Sequence, residues 1–273
     1  MASMQIAKTR PGSPDCALCP VRGQAVCACC DTAELAQLDR MKSYRSYERA
    51  QSIAYAGTRM THLGTLLSGV AVLSQGMADG RRQIMGLLLP GDFIGRPQRP
   101  YLQFDIVAAE KVKICRFERA AFEKLLAGSA ALSGRLLDMA FDELDAARDW
   151  MLVLGRKSAR ERLATLIYRL GQRQARPPNS PPPASLSFQL PLTRAMLADY
   201  LGLTQETVSR QMTALRRAGI IEQQGPRQIR VPDPDRLLAE AGGGASLASG
   251  YRARPASLET GFCAGFGQKG IYF

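Results

Sequence analysis

The residues best equipped for chemistry in this 273-residue chain are its seven cysteines. Cys16, Cys19, Cys27, Cys29 and Cys30 crowd near the N-terminus, while Cys115 and Cys263 stand apart. Disulfides rarely persist in reducing compartments, so clustering of this kind points to metal or redox chemistry rather than to a disulfide framework. Cys16-x2-Cys19-x7-Cys27 offers three closely spaced thiolates, and a fourth would complete tetrahedral zinc or an iron–sulfur cluster. His62 is the only histidine, so a metal site must rely mainly on thiolates, and His62 itself reads as structural. Spacing alone leaves several assignments open. Zinc could be held locally by Cys16, Cys19 and two of Cys27, Cys29 and Cys30, and Cys115 could be an ordinary half-buried strand residue.

A second constellation lies at Leu192–Gly219, LTRAMLADYLGLTQETVSRQMTALRRAG. Thr193 can cap a first helix whose apolar positions Met196, Leu197, Tyr200 and Leu201 recur at helical spacing. Gly202 ends it, where a left-handed residue is needed, and the small Ala198 allows close helix crossing. Thr204 can cap a second helix that buries Val208, Met212 and Leu215. Gln205, Glu206, Ser209 and Arg210 then face outward near its N-terminus, the end that enters the major groove in helix-turn-helix proteins. Arg210 can donate two bonds to guanine, Glu206 can accept from cytosine N4, and Ser209 can bond several base edges. Glu206 is repelled by phosphates, which suits base reading, although an acid also favours a helix N-terminus. Arg216 and Arg217 are candidates for phosphate contacts.

Charge agrees with a polyanionic partner. The net charge is +12, and between Arg156 and Arg236 there are 14 Lys plus Arg against 6 Asp plus Glu. Such a block attracts nucleic acid through counterion release. An enzyme is disfavoured: there is no Gly-rich phosphate loop, no histidine base beyond His62 and no convincing nucleophile constellation. The longest apolar stretches, such as Ile84–Leu89, are too short to span a bilayer, and Met1–Pro14 does not resemble a signal segment, so a cytoplasmic protein without membrane contact is expected.

The elements that must position these residues separate by composition. Residues 1–31 form a Cys-rich arm without clear period. Residues 32–128 begin with a helical pattern at Ala33–Met41 and become glycine-punctuated, with β-type runs at Thr65–Leu73, Ile84–Leu89 and Lys111–Phe117, as in an antiparallel roll. A helix follows near Arg119–Leu126. Residues 129–155 carry a long helix in which Leu137, Ala140, Leu144, Ala147, Met151 and Leu154 follow an unbroken heptad seam. A seam of this kind fits a homodimer, with Glu143 and Arg148 offset to pair between copies; packing within one domain is the alternative. Residues 156–240 comprise a helix at Ser158–Arg173, a Pro- and Ser-rich loop at Ala175–Ser185, the helix-turn-helix and a hairpin at Ile220–Val231. Residues 241–273 lack periodicity and read as a disordered tail.

From about Leu35 to Ala239 the sequence resembles the CRP/FNR family of bacterial transcription regulators. The likeness rests on GTRMTHLGTLLSGVAVLSQG, LPGDFIG, the seam helix and LGLTQETVSRQMTALRRAGII. It implies an α+β fold: an N-terminal antiparallel β-roll like that of cyclic-nucleotide-binding proteins, a dimerisation helix and a C-terminal winged helix-turn-helix. The Glu206/Ser209/Arg210 arrangement resembles the FNR branch, which implies double-stranded DNA with TTGA-type half-sites in inverted repeat and RNA polymerase as a partner. Three arm cysteines plus Cys115, shortly before FERAAFEKL, resemble the oxygen-sensing members. That likeness implies a [4Fe–4S] cluster on Cys16, Cys19, Cys27 and Cys115; Cys27 is preferred over Cys29 and Cys30 because the x7 spacing is known in the family. Redox thiols or structural zinc without a cluster form the alternative. Cyclic nucleotide binding is disfavoured, because RPQRPYLQFDIVAAE lacks the Gly-Glu and Arg-Ser of cAMP-binding relatives.

Overall fold

A computed structural model describes residues 15–175, 183–225 and 227–243. Residues 244–273, including Cys263, and most of the expected loop at Ala175–Ser185 lie outside the described residues. The described chain divides into two compact units, one of residues 15–75 and 87–140, the other of residues 76–86 and 141–243.

In the first unit, three short 3-10 turns (Cys16–Leu18, Arg22–Gln24 and Val26–Cys29) lead into α1 (Thr32–Met41). A capping box starts this helix: the Asp31 carboxylate accepts from Glu34 N at 2.8 Å, and the Glu34 carboxylate accepts from Asp31 N at 2.9 Å. The strands β1 (Lys42–Tyr47), β2 (Ser52–Ala54), β3 (His62–Ser68), β4 (Ala71–Gly76), β5 (Arg82–Leu88, of which only residues 87–88 belong to this unit), β6 (Phe93–Ile94), β7 (Asp105–Ala108) and β8 (Val112–Glu118) build two four-stranded sheets. Their orders are β1-β8-β3-β6 and β2-β7-β4-β5. This is the antiparallel roll that the sequence predicts. One predicted run, Thr65–Leu73, is broken into β3 and β4 by Gly69, where φ is +80° and a Cβ would lie 2.2 Å from the Lys111 carbonyl oxygen. Only glycine accommodates that turn.

Side-chain alternation along β8 separates two cores. Val112 and Ile114 face the interior of the roll with Tyr47, Leu66, Leu88 and Ile106. Cys115 and Phe117 face outward, into a cluster with Val26, Leu38, Leu63, Phe122, Leu125 and Leu126. Phe122 belongs to α2 (Arg119–Gly128) and packs its ring 5.5 Å from Phe93 and 5.4 Å from Phe117. The same cluster takes in Leu132, near the start of α3 (Ala130–Arg156). The outward core therefore joins the cysteine arm, α1, α2, β8 and the first turn of the long helix.

The second unit contains the later part of α3, α4 (Ala159–Ala175), β9 (Leu186–Gln189), α5 (Arg194–Leu201), α6 (Gln205–Arg217), β10 (Glu222–Gln224), β11 (Gln228–Val231) and α7 (Pro234–Glu240). Trp150 of α3 stacks on Tyr200 of α5 at 4.5 Å between ring centroids. The predicted hairpin is β10–β11, which gains β9 as a third antiparallel strand. Neither β9 nor α7 is anticipated from sequence. With four and seven residues, each is too short to display a period, although Leu186 and Phe188 do alternate inward. Among the described residues, no helix is long and apolar enough to cross a membrane.

Phe122 is fully buried and holds the outward core together. Phe122→Ala should destabilise the first unit by about 3–5 kcal/mol. Chemical denaturation checks this; a loss below about 1 kcal/mol would show that the site collapses around the smaller side chain.

Candidate nucleic-acid interface and thiol centre

The helix-turn-helix forms where the sequence places it, and its caps are the expected ones. Thr193 Oγ1 accepts from Met196 N at 3.1 Å, and Thr204 Oγ1 accepts from Thr207 N at 3.1 Å. Gly202 closes α5 with φ +62° in the left-handed region. Val208, Met212 and Leu215 are buried on the inner side of α6, so the helix has only one way to present its other face. Gln205, Glu206, Ser209, Arg210, Arg216 and Arg217 are all exposed on it.

A residue missed by sequence reasoning joins them. Arg194, the first residue of α5, lines a cleft of about 380 Å³ with Ser209, Thr213, Arg216 and Gln223. Its guanidinium donates to the Gln223 side-chain oxygen at 3.3 Å, a neutral partner. Burial pulls its pKa below the ordinary arginine value. A cation at a helix N-terminus is also opposed by the helix dipole. Both penalties are relieved when an anion enters the cleft, which makes Arg194 with Arg216 a fitting seat for a backbone phosphate. Its place immediately after the Thr193 cap was the available signal.

The thiols come together at the other site. The arm is fixed at several points. Val26 and Ala25 are buried, Cys16 N donates to Asp39 Oδ1 at 3.3 Å, and Arg135 of α3 donates from Nη2 to the Gln24 carbonyl at 2.8 Å. Cys16, Cys19 and Cys27 from the arm and Cys115 from β8 all carry free thiols. They lie near enough for Cys115 to feel the other three: burial pushes its thiol up to about 12, and Cys16, Cys27 and Cys19 each push it further in the same direction. Burial likewise raises Cys16 to about 11, against the lowering influence of Lys42, whose Nζ is 3.7 Å from Cys16 Sγ. Cys27 is raised by burial and by Cys19.

Cys29 is disulfide-bonded and Cys30 is sunk in the outward core, its thiol raised to about 12 by burial and by Glu34. Cys30 is not among the groups that act on Cys115. Among the described residues, no three His, Cys, Asp or Glu side chains are arranged to hold a single metal ion. The donor set is four thiols, three from the arm and one from β8, near enough for the three to act on the fourth. That fits a group offering four attachment points, as in iron–sulfur clusters held by four cysteine thiolates.

Five of the six predicted seam positions are exposed along α3, and the sixth, Leu154, is half-buried. Leu137, Leu144 and Met151 are 55%, 44% and 72% exposed, and Ala140 and Ala147 are exposed beside them. Phe141, absent from the predicted heptad, is 55% exposed on the same side, whereas Trp150 and Val153 turn inward. Within one chain Arg148 pairs with Asp145 at 3.4 Å.

Comparison with known proteins gives two family matches, a cyclic nucleotide-binding domain over residues 44–129 and a Crp-like helix-turn-helix domain over residues 161–240. The chain is 48% identical over 231 residues to the transcriptional activator protein FnrL of Cereibacter sphaeroides, covering 83% of this chain and 92% of the relative. It is 36% identical to the nitrogen fixation regulation protein FixK of Bradyrhizobium diazoefficiens, covering 77% and 87% respectively. The solved structure of FixK2 from Bradyrhizobium japonicum superposes with a TM-score of 0.67 at 30% identity, covering 75% of this chain and 99% of that one. These relatives are transcription regulators, not enzymes.

The exposure of α6 gives a quantitative expectation. Arg210→Ala should cost about 1–3 kcal/mol at a guanine-containing half-site and relax discrimination there, whereas Arg217→Ala should weaken all sequences alike. Titrations on matched and mismatched duplexes decide this. Equal loss on both duplexes for Arg210→Ala would remove its role in base reading.

Proposed function

The chain belongs to the CRP/FNR family of transcription regulators, and from that premise we propose that it is an oxygen-responsive activator that binds DNA as a homodimer. The observation that carries this reading is that Cys16, Cys19 and Cys27 of the arm all act on Cys115 of β8, whose outward core also takes in Cys27 and the start of α3. Those four residues would hold a [4Fe–4S] cluster. When bound, the cluster supplies oxygen-labile iron–sulfur chemistry. The remaining roles belong to the chain. Lys42 places a positive charge beside Cys16 and so favours its thiolate. Arg135 ties the arm backbone directly to α3.

The exposed apolar stripe of Leu137, Phe141, Leu144 and Met151 would pair with its copy in a second chain. Two neighbouring positions, Ala140 and Ala147, bury little area there, and Asp138, Asp142, Glu143, Asp145 and Asp149 add like charge to both copies. The seam is therefore marginal, and a few kcal/mol of differential stability is enough to shift the population between monomer and dimer. With the dimer formed, Gln205, Glu206, Ser209 and Arg210 of each copy would read one TTGA-type half-site of an inverted repeat. Arg194, Arg216 and Arg217 would hold phosphates. RNA polymerase is the partner that this family role implies.

Cys16→Ser, Cys19→Ser, Cys27→Ser and Cys115→Ser should each abolish a brown iron–sulfur chromophore in anaerobically purified protein, as read by absorption with iron and sulfide analysis. Retention of iron in Cys27→Ser with loss in Cys30→Ser would reassign the third ligand, and zinc in place of iron would refute the sensing chemistry. In cluster-free protein, Ala140→Leu should tighten dimerisation measured by sedimentation. A tight dimer without that substitution would contradict the marginal seam.

A further inference from the structure

The outward core contains a polar atom that the fold leaves without a partner. Thr65 of β3 is 4% exposed, and its Oγ1 is buried with no hydrogen-bond partner among the described residues. Buried polar groups are nearly always satisfied, so an orphaned hydroxyl on a strand calls for a physical reason.

The ladder shows which neighbour supplies it. Thr65 lies directly opposite Cys115 of β8, in the regular stretch of pairing that precedes the irregularity between Leu66 and Ser68. Residues paired in this way project from the same face, with Cβ atoms about 4.5–5.5 Å apart. Alternation along β3 agrees. Leu63 and Leu67, two residues to either side, pack in the outward core, whereas Leu66 packs inside the roll. On its other flank Thr65 lies opposite Phe93 of β6. Of these four neighbours, Leu63, Leu67, Phe93 and Cys115, only Cys115 has a side-chain atom able to accept a hydrogen bond.

A thiol sulfur is a weak acceptor, which leaves the hydroxyl unpartnered while Cys115 keeps its proton. A metal-bound thiolate carries charge and accepts more strongly. We propose that Thr65 is a positioning residue for the thiol centre, donating its hydroxyl to the Cys115 sulfur once that sulfur ligates the cluster. The proposal rests on the reading of Cys16, Cys19, Cys27 and Cys115 as cluster ligands. Lys42 offers Cys16 a similar donor at 3.7 Å, but its Nζ is shared with Asp39, whereas the Thr65 hydroxyl has no competing partner. A hydrogen bond draws charge from a ligating sulfur and so opposes loss of an electron to dioxygen. Thr65 therefore slows the response to air and raises the reduction potential of the centre.

The test compares Thr65→Val, which keeps the shape and removes the donor, with Thr65→Ser, which keeps the donor. In the full chain prepared anaerobically, Thr65→Val should bleach in air-saturated buffer at least about threefold faster than the unaltered protein, and its reduction potential should be more negative. Thr65→Ser should bleach within about twofold of the unaltered rate. Cluster-free Thr65→Val should unfold at the same denaturant concentration as the unaltered protein or a higher one, because an unpartnered buried hydroxyl has been removed. Faster bleaching together with easier unfolding of the cluster-free variant would assign Thr65 to packing and overturn the proposal. Unchanged bleaching and potential in a Thr65→Val protein that holds its iron would overturn the role of Thr65 alone. Absence of iron and sulfide from the unaltered protein would instead overturn the cluster reading, and this proposal with it.

Discussion

The two-residue alternation of β8 is the constraint on which the first unit depends. It sends Val112, Ile114 and Arg116 toward the interior of the roll and Cys115 and Phe117 toward α1, α2 and the arm. A shift of one residue in its pairing with β1 and β3 would exchange these sets, placing a thiol and a phenyl ring inside the roll and a guanidinium in the outward core. Register is therefore strongly fixed by burial on both faces. The consequence for function is positional: the only cysteine on a strand among the described residues is delivered to the arm cysteines by the packing that also seats the first turn of α3.

The long helix has a divided character. Leu132 is buried in the outward core of the first unit, while Trp150 and Val153 pack within the second. Between these anchors Leu137, Phe141 and Leu144 remain exposed, an apolar stripe that a charged, basic protein would not present without a use for it. Across α5 and α6 the logic is simpler. Three buried apolar residues on α6 fix its orientation, two threonine caps fix the helix starts, and every candidate base-reading side chain is thereby left facing outward.

Much of this was legible in the sequence because the signals are local. Thr193, Gly202 and Thr204 act through caps and a left-handed turn within a few residues of themselves, so α5 and α6 emerge at the predicted places. The seam was visible as a period, but the heptad reading chose Ala140 and passed over Phe141, because a strict seven-residue repeat is narrower than the exposed stripe of an α-helix. What escaped detection depends on distant partners. β9 becomes a strand only by pairing with β11, and Arg194 acquires its cleft only when α6 and Gln223 are packed against it.

The marginal stability of the seam is what would join the thiol centre to DNA binding, and one measurement addresses that link directly. Protein prepared anaerobically is titrated onto a duplex carrying an inverted TTGA-type repeat, exposed to air, and titrated again, with its mass followed by sedimentation in both states. The expected result is a dimer that binds the repeat before exposure, and afterwards a shift toward monomer with at least about tenfold weaker binding. An unchanged dimer that binds the duplex equally well in both states would contradict that link.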